Sequence, residues 1–157
     1  MIVALLVIGA MAIMLILFVD KAHDDLKESI KVNSDGVTYE TLTVKDLKLT
    51  PDESREYTVS LTCAASGSYY ISLDYEEMKD GGMKSFVDVT VKCGEAEVYN
   101  GSLTKLLDED HIIKFEGELH ATEPLVVSIC YKMPYSIGNE AQGTYADFKI
   151  DMKIEKS

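Results

Sequence analysis

The chain has 157 residues, 27 of them acidic against 15 basic, for a formal net charge of −12. That balance excludes a nucleic-acid role, because phosphates would be repelled and no basic stripe exists to release counterions. The length suits one domain large enough to close a core.

Met1 to Val19 hold no charged side chain, and at about 1.5 Å per residue a helix of that length approaches the roughly 30 Å hydrocarbon core of a bilayer. A cleavable signal would show basic residues ahead of a shorter apolar core. Met1-Ile2-Val3 offers none. Residues 1–19 are therefore expected to be a transmembrane anchor, with a removed signal as the alternative. The flank Asp20-Lys21-Ala22-His23-Asp24-Asp25 is net negative, which places the remainder outside the membrane, since cytoplasmic flanks collect Lys and Arg. The expected address is the cell membrane with an extracellular domain, or the extracellular matrix.

Ala22, Leu26 and Ile30 recur every four residues, which predicts a juxtamembrane helix or stalk within residues 20–35. After Ser34-Asp35-Gly36 the period becomes two, so a β domain is expected over 36–157. Val37 to Leu49 changes phase between Tyr39 and Leu42, as two strands or one bulged strand would. Tyr57-Val59-Leu61-Cys63 and Tyr69-Ile71-Leu73-Tyr75 alternate with polar residues on either side of Ser66-Gly67-Ser68, and read as a hairpin. Val87 to Cys93 is a strand turned at Gly94. Ala96 to Tyr99 then runs into Asn100-Gly101, a dipeptide suited to tight turns. Ile112 to Leu119, Leu125 to Tyr131 and Tyr145 to Ile154 complete about eight strands with no long helix between them. The fold class expected is all-β, an antiparallel sandwich of two sheets.

The three cysteines, Cys63, Cys93 and Cys130, allow one disulfide. Cys63 and Cys93 both close strands on the apolar phase and form the better pair, while three buried thiols are the competing reading. His23, His111 and His120 are scattered, and no H-E-x-x-H or G-x-S-x-G spacing exists, so no catalytic residue, no resident metal and no cofactor is assigned. Asp108 and Asp110, within Asp108-Glu109-Asp110, are the only candidate cation ligands. A solvated turn explains them better, because the one-three-five spacing of a calcium loop is missing. Asn100-Gly101-Ser102 spells a glycosylation acceptor but is read as a turn. Of nine tyrosines, Tyr57, Tyr69, Tyr75 and Tyr131 share the core phase, which leaves Tyr70 and Tyr135 as surface candidates.

The segment Gly138-Asn139-Glu140-Ala141-Gln142-Gly143 precedes a strand alternating Ala146, Phe148, Ile150, Met152 and Ile154 with charged residues. Gly138 and Gly143 permit unusual backbone angles, and Asn139 and Gln142 are expected to hydrogen-bond the loop. The cluster reads as a structural turn launching the last strand. This ending resembles that of camelysin-like and TasA-type biofilm-fibre proteins of Gram-positive bacteria, which commonly close with an N-E-x-Q-G-like turn and a terminal strand. Leu47 to Leu61, "LKLTPDESREYTVSL", and Leu106 to Leu119, "LLDEDHIIKFEGEL", are similar to other parts of such proteins. Phe18-Val19-Asp20 stands where they carry an aromatic-x-Asp. The resemblance implies a jelly-roll-like sandwich, exported, working in matrix fibres or on the envelope. With no catalytic motif in the sequence, the leading expectation is a non-enzymatic protein that acts by self-association or with other envelope and matrix proteins. Competing functions are a monomeric anchored ectodomain capturing peptide, sugar or cation, and a pilin-like subunit with a helical filament core.

Overall fold

The computed structural model describes residues 27–109 and 111–157. Residues 1–19, with the expected anchor and membrane contact, and Asp110 lie outside them. Among the described residues no helix is long and apolar enough to cross a membrane.

Among the described residues nine strands form two sheets. They are β1 (Lys27–Val32), β2 (Val37–Leu47), β3 (Ser54–Cys63), β4 (Gly67–Gly81) and β5 (Asp88–Cys93), followed by β6 (Ala96–Ser102), β7 (Ile113–Leu119), β8 (Leu125–Lys132) and β9 (Tyr145–Lys156). Sheet A has the order β1-β3-β8-β5-β6 and sheet B the order β2-β9-β4-β7. From β2 onward the chain changes sheet at every connection except the β5–β6 hairpin. That interleaving is the double Greek-key order of a jelly roll.

Alternation explains the packing. In β9, Ala146, Phe148, Ile150, Met152 and Ile154 are buried while the residues between them are not, as a strand with one wet face requires. Phe148 stacks on Tyr75 of its own sheet with centroids 5.8 Å apart, and meets Tyr131 of sheet A at 5.5 Å. Tyr57 closes edge-on against Tyr131 at 5.4 Å. The Tyr75 and Tyr131 hydroxyls sit 3.3 Å apart inside the core, so each phenol has a polar neighbour where water is excluded.

Several expectations are corrected. Residues 27–32 are not helical: they form β1, which pairs in parallel with β3 and buries Ile30 and Val32. A spacing of four lands on one face at either period, so Leu26 and Ile30 could not distinguish helix from strand. The sandwich therefore already includes 27–32, ahead of the expected start at 36. β3 and β4 are no hairpin, because β3 lies in sheet A and β4 in sheet B. Asn100-Gly101 is not a turn but strand, paired with Thr90 and Val89. A short helix, α1 (Leu103–Asp108), follows it, capped by Ser102 accepting from the Lys105 amide and burying Leu103, Leu106 and Leu107. β2 is one strand with a bulge between Val44 and Leu47, where Asp46 takes φ 55° and donates its amide to Asp147. The apparent phase change at Tyr39 arose because that ring faces solvent.

The Cys63–Cys93 pairing fails on geometry. β8 lies between β3 and β5, and Cys93 is level with Val127, itself opposite Val59. Two strand spacings of about 4.8 Å plus a four-residue offset separate the two cysteines, beyond the roughly 7 Å limit between bridged Cα atoms. All three cysteines are free thiols. Burial pushes the Cys93 and Cys130 thiols up, with Glu56 adding to the effect at Cys130.

Candidate binding faces

The outward face of sheet B carries a groove of about 920 Å³. Register places its residues in rows: Tyr39, Lys153, Ser72 and Lys114 lie across the four strands, and Val37, Glu155, Tyr70 and Glu116 form the adjacent row. Tyr39 is 70% exposed and Tyr70 53%. They stand on β2 and β4 with β9 between, so their Cα positions are roughly 12 Å apart, two strand spacings across and two residues along. Between them the floor is polar. Ser72, Lys153 and Glu155 lie there, with Lys153 held above the usual lysine range by Glu155 at 3.0 Å, and in the row beyond Tyr39 Thr41 donates to Asp151 at 2.6 Å.

A second cleft, of about 530 Å³, opens at one end of the sandwich, between two chain crossings from sheet to sheet. One crossing, β2 to β3, supplies Lys48, Thr50 and Glu53, with Arg55 at the start of β3. The other, β8 to β9, supplies Asn139, Gln142 and the glycines Gly138 and Gly143. The predicted turn therefore lines a concave surface as well as launching β9. Gly143 needs its freedom, with φ +77°, whereas Gly138 is not left-handed. Asn139 and Gln142 do not tie the loop through their side chains, and both are exposed. The loop is held by the Glu140 carboxylate accepting from the Gly138 amide at 2.9 Å, by the Thr144 hydroxyl donating to the Ala141 carbonyl at 2.6 Å, and by the buried Ala141 methyl. A carboxylate two residues on reaches a backbone N–H more readily than an amide that must also satisfy its own donors.

The remaining candidates separate in space. Asp108 accepts from Lys84 at 2.8 Å, and the same ammonium meets Glu77 at 2.7 Å and Asp80 at 3.4 Å. A lysine thus occupies the place a cation would take, and the three carboxylates hold it above its ordinary pKa. His111 packs on Tyr99, rings 5.6 Å apart, while His120 is exposed in a bridge to Glu123. Among the described residues no three His, Cys, Asp or Glu side chains gather in a metal-holding group. Asn100 is exposed on edge strand β6, and Tyr135 stands 82% exposed in the β8–β9 loop. Sequence reasoning selected Tyr70 and Tyr135 correctly but missed Tyr39. Counting back from Leu42 and Val44 at period two would have placed it on the wet face.

No protein-family model matches this sequence, and no curated protein matches it. Among solved structures the chain is similar to PliG of Aeromonas hydrophila, a periplasmic lysozyme inhibitor of g-type lysozyme, at 16% identity over 83% of this chain and 99% of that one, with a TM-score of 0.38. The C-terminal CBM6 of LamC from Zobellia galactanivorans matches at 10% identity, over 76% of this chain and 100% of that one, with a TM-score of 0.36. A mutant PliG from Escherichia coli matches at 9% identity, over 82% of this chain and 97% of that one, with a TM-score of 0.32. At these identities and TM-scores they assign this chain no family, ligand or partner.

Proposed function

We propose that this protein is a non-catalytic, envelope-displayed or matrix-secreted β-sandwich that self-associates by exchanging its first strand, in keeping with its resemblance to biofilm-fibre proteins. The observation that carries the reading is β1. Among the described residues it sits at the edge of sheet A, pairs with β3 alone, and runs parallel to it, yet Ile30 and Val32 are 4% and 2% exposed in the core. An edge strand that fills core positions can be supplied by a second copy without changing a single contact, which is the condition for low-cost swapping. Asn33 to Gly36 is the hinge that would open. The apolar segment 1–19 supplies the expected export or anchoring.

The test uses Val32→Cys in the full chain. Val32 is the register partner of Cys63, and neighbouring strands set their Cα atoms about 4.8 Å apart, within disulfide range. Oxidation at high protein concentration should yield a ladder of covalently linked copies on a non-reducing gel, absent from the parent. Linked monomer alone at every concentration would overturn strand exchange.

A second reading is favoured by Tyr39 and Tyr70. Two exposed rings bracketing a floor of hydroxyls, carboxylates and amines suit an extended glycan, whose sugar faces stack on aromatics and whose hydroxyls bond the groups between. Tyr39→Ala and Tyr70→Ala should then abolish retardation in polysaccharide-containing gels while leaving the melting temperature unchanged.

A further inference from the structure

We infer that the cleft between the β2–β3 and β8–β9 crossings is a carboxylate-binding site centred on Arg55. Arg55 is the chain's one arginine. It lies on the inward phase of β3, two residues before buried Tyr57, and is itself only half-exposed at the cleft wall. Arginines in such positions are ordinarily paired, because a sheltered guanidinium that loses water needs acceptors for its five N–H donors. The carboxylates of the two crossings are engaged with other groups. Glu53 accepts from the Thr50 amide at 2.8 Å and its hydroxyl at 3.0 Å, Glu140 is turned back on the Gly138 amide, and Asp52 faces Lys132 at 3.6 Å. Among the described residues no ion pair or hydrogen bond is recorded for the Arg55 guanidinium.

The surroundings favour the same ligand class. Lys48 lines the same cleft but is paired with Asp46 at 2.9 Å, which leaves Arg55 as the lining cation without a carboxylate partner. The exposed Asn139 and Gln142 amides offer further N–H donors from the opposite wall. A planar fork of donors flanked by neutral amides matches a carboxylate, which arginine accepts in two parallel hydrogen bonds. Chloride or a neutral amide gains no such fit. The carboxylate can come from a free acid or from an acidic side chain of a second copy. The site uses none of the β1 contacts, so it stands or falls independently of strand exchange.

A lone arginine makes the test direct, since the Nε–H of Arg55 gives one unambiguous arginine resonance in a ¹⁵N correlation spectrum of the full-length protein. Sodium acetate is titrated at constant ionic strength against sodium chloride, with acetamide as the neutral control. The expected result is a saturable displacement of the Arg55 Nε–H signal with acetate alone. Gln142→Ala should weaken the acetate affinity about fivefold, as one lost hydrogen bond implies, and Arg55→Lys should abolish the saturable response of the Asn139 and Gln142 side-chain amides while the protein stays folded. If the carboxylate comes from a second copy, the Arg55 signal moves on dilution of the protein before any acetate is added. If it comes from a free acid, dilution leaves it in place and acetate alone moves it. A signal indifferent to acetate and to dilution, or one displaced equally by acetamide or chloride, overturns the site.

Discussion

At the scale of single residues, burial and partners decide which substitutions matter. Phe148 is 0% exposed and packs between Tyr75 and Tyr131, so Phe148→Ala should cost about 3–5 kcal/mol in a denaturant melt. Gln142→Ala removes an exposed side chain that holds nothing in the loop, and should stay within about 0.5 kcal/mol of the parent. Lys84 differs from the other surface lysines because its side chain is only 13% exposed and its ammonium joins β4 to α1 through Glu77 and Asp108. Lys84→Met should cost roughly 1–3 kcal/mol, chiefly by leaving Glu77 and Asp108 without their shared partner. Asp80 is held below its ordinary range, first by the Gly82 amide and then by Lys84. Its contribution is present above the unfolded carboxylate pKa and fades as pH falls through the depressed folded value. Melting temperatures between neutral pH and acid should therefore fall less steeply in Lys84→Met than in the parent.

Elements were legible where a strand had one buried and one wet face, as in β9, β5 and β8. They were misread where local spacing fits two structures. Ile30 is such a case, and its side chain separates the alternatives experimentally. On a solvated stalk Ile30→Ala would be nearly silent, whereas in β1, at 4% exposure, it should cost about 2–5 kcal/mol. Hydrogen exchange of the Lys27–Val32 amides should report protection, lost in that variant. α1 was missed although Ser102 is a good cap and Leu103, Leu106 and Leu107 have helical spacing, because a six-residue helix spans fewer than two turns and its period never repeats. Asn100-Gly101 misled in the opposite direction. The dipeptide permits a tight turn, but β5 was already turned at Gly94 with φ 58°, and pairing with Val89 and Thr90 extends β6 straight through it.

For the molecule as a whole, stability should fail on the alkaline side through its core. Tyr75 and Tyr131 are fully enclosed, and burial raises both phenols above the ordinary value of 10.0. A raised phenol keeps its proton longer in the folded state, so its contribution is complete below pH about 10 and is lost as pH rises toward the folded value. Thermal melts at increasing pH should show a decline beginning near there, accompanied by a further step in tyrosinate absorbance that coincides with unfolding. Tyr75→Phe removes one of the two groups and should make the decline shallower. A decline that begins well below that pH, with no tyrosinate signal, would show that the pair does not control it.

The sequence by itself determined an acidic chain with an apolar start, an all-β domain of about eight alternating strands, a core phase shared by four tyrosines, and a final strand entered through a glycine-bounded turn. These are local properties, since alternation and turn chemistry are written within a few neighbouring residues. Tertiary structure alone decided which strand lies beside which. That pairing drew β1 into the core, placed β8 between the two cysteines expected to bond, set Lys84 against Asp108, one of the two carboxylates suspected of holding a cation, and brought Arg55 to the cleft that the Asn139–Gly143 turn lines. Each joins residues far apart in the chain, and no local period encodes such a meeting. It follows from closing two sheets around one core, where the order of strands is chosen by the burial of all their inner faces at once.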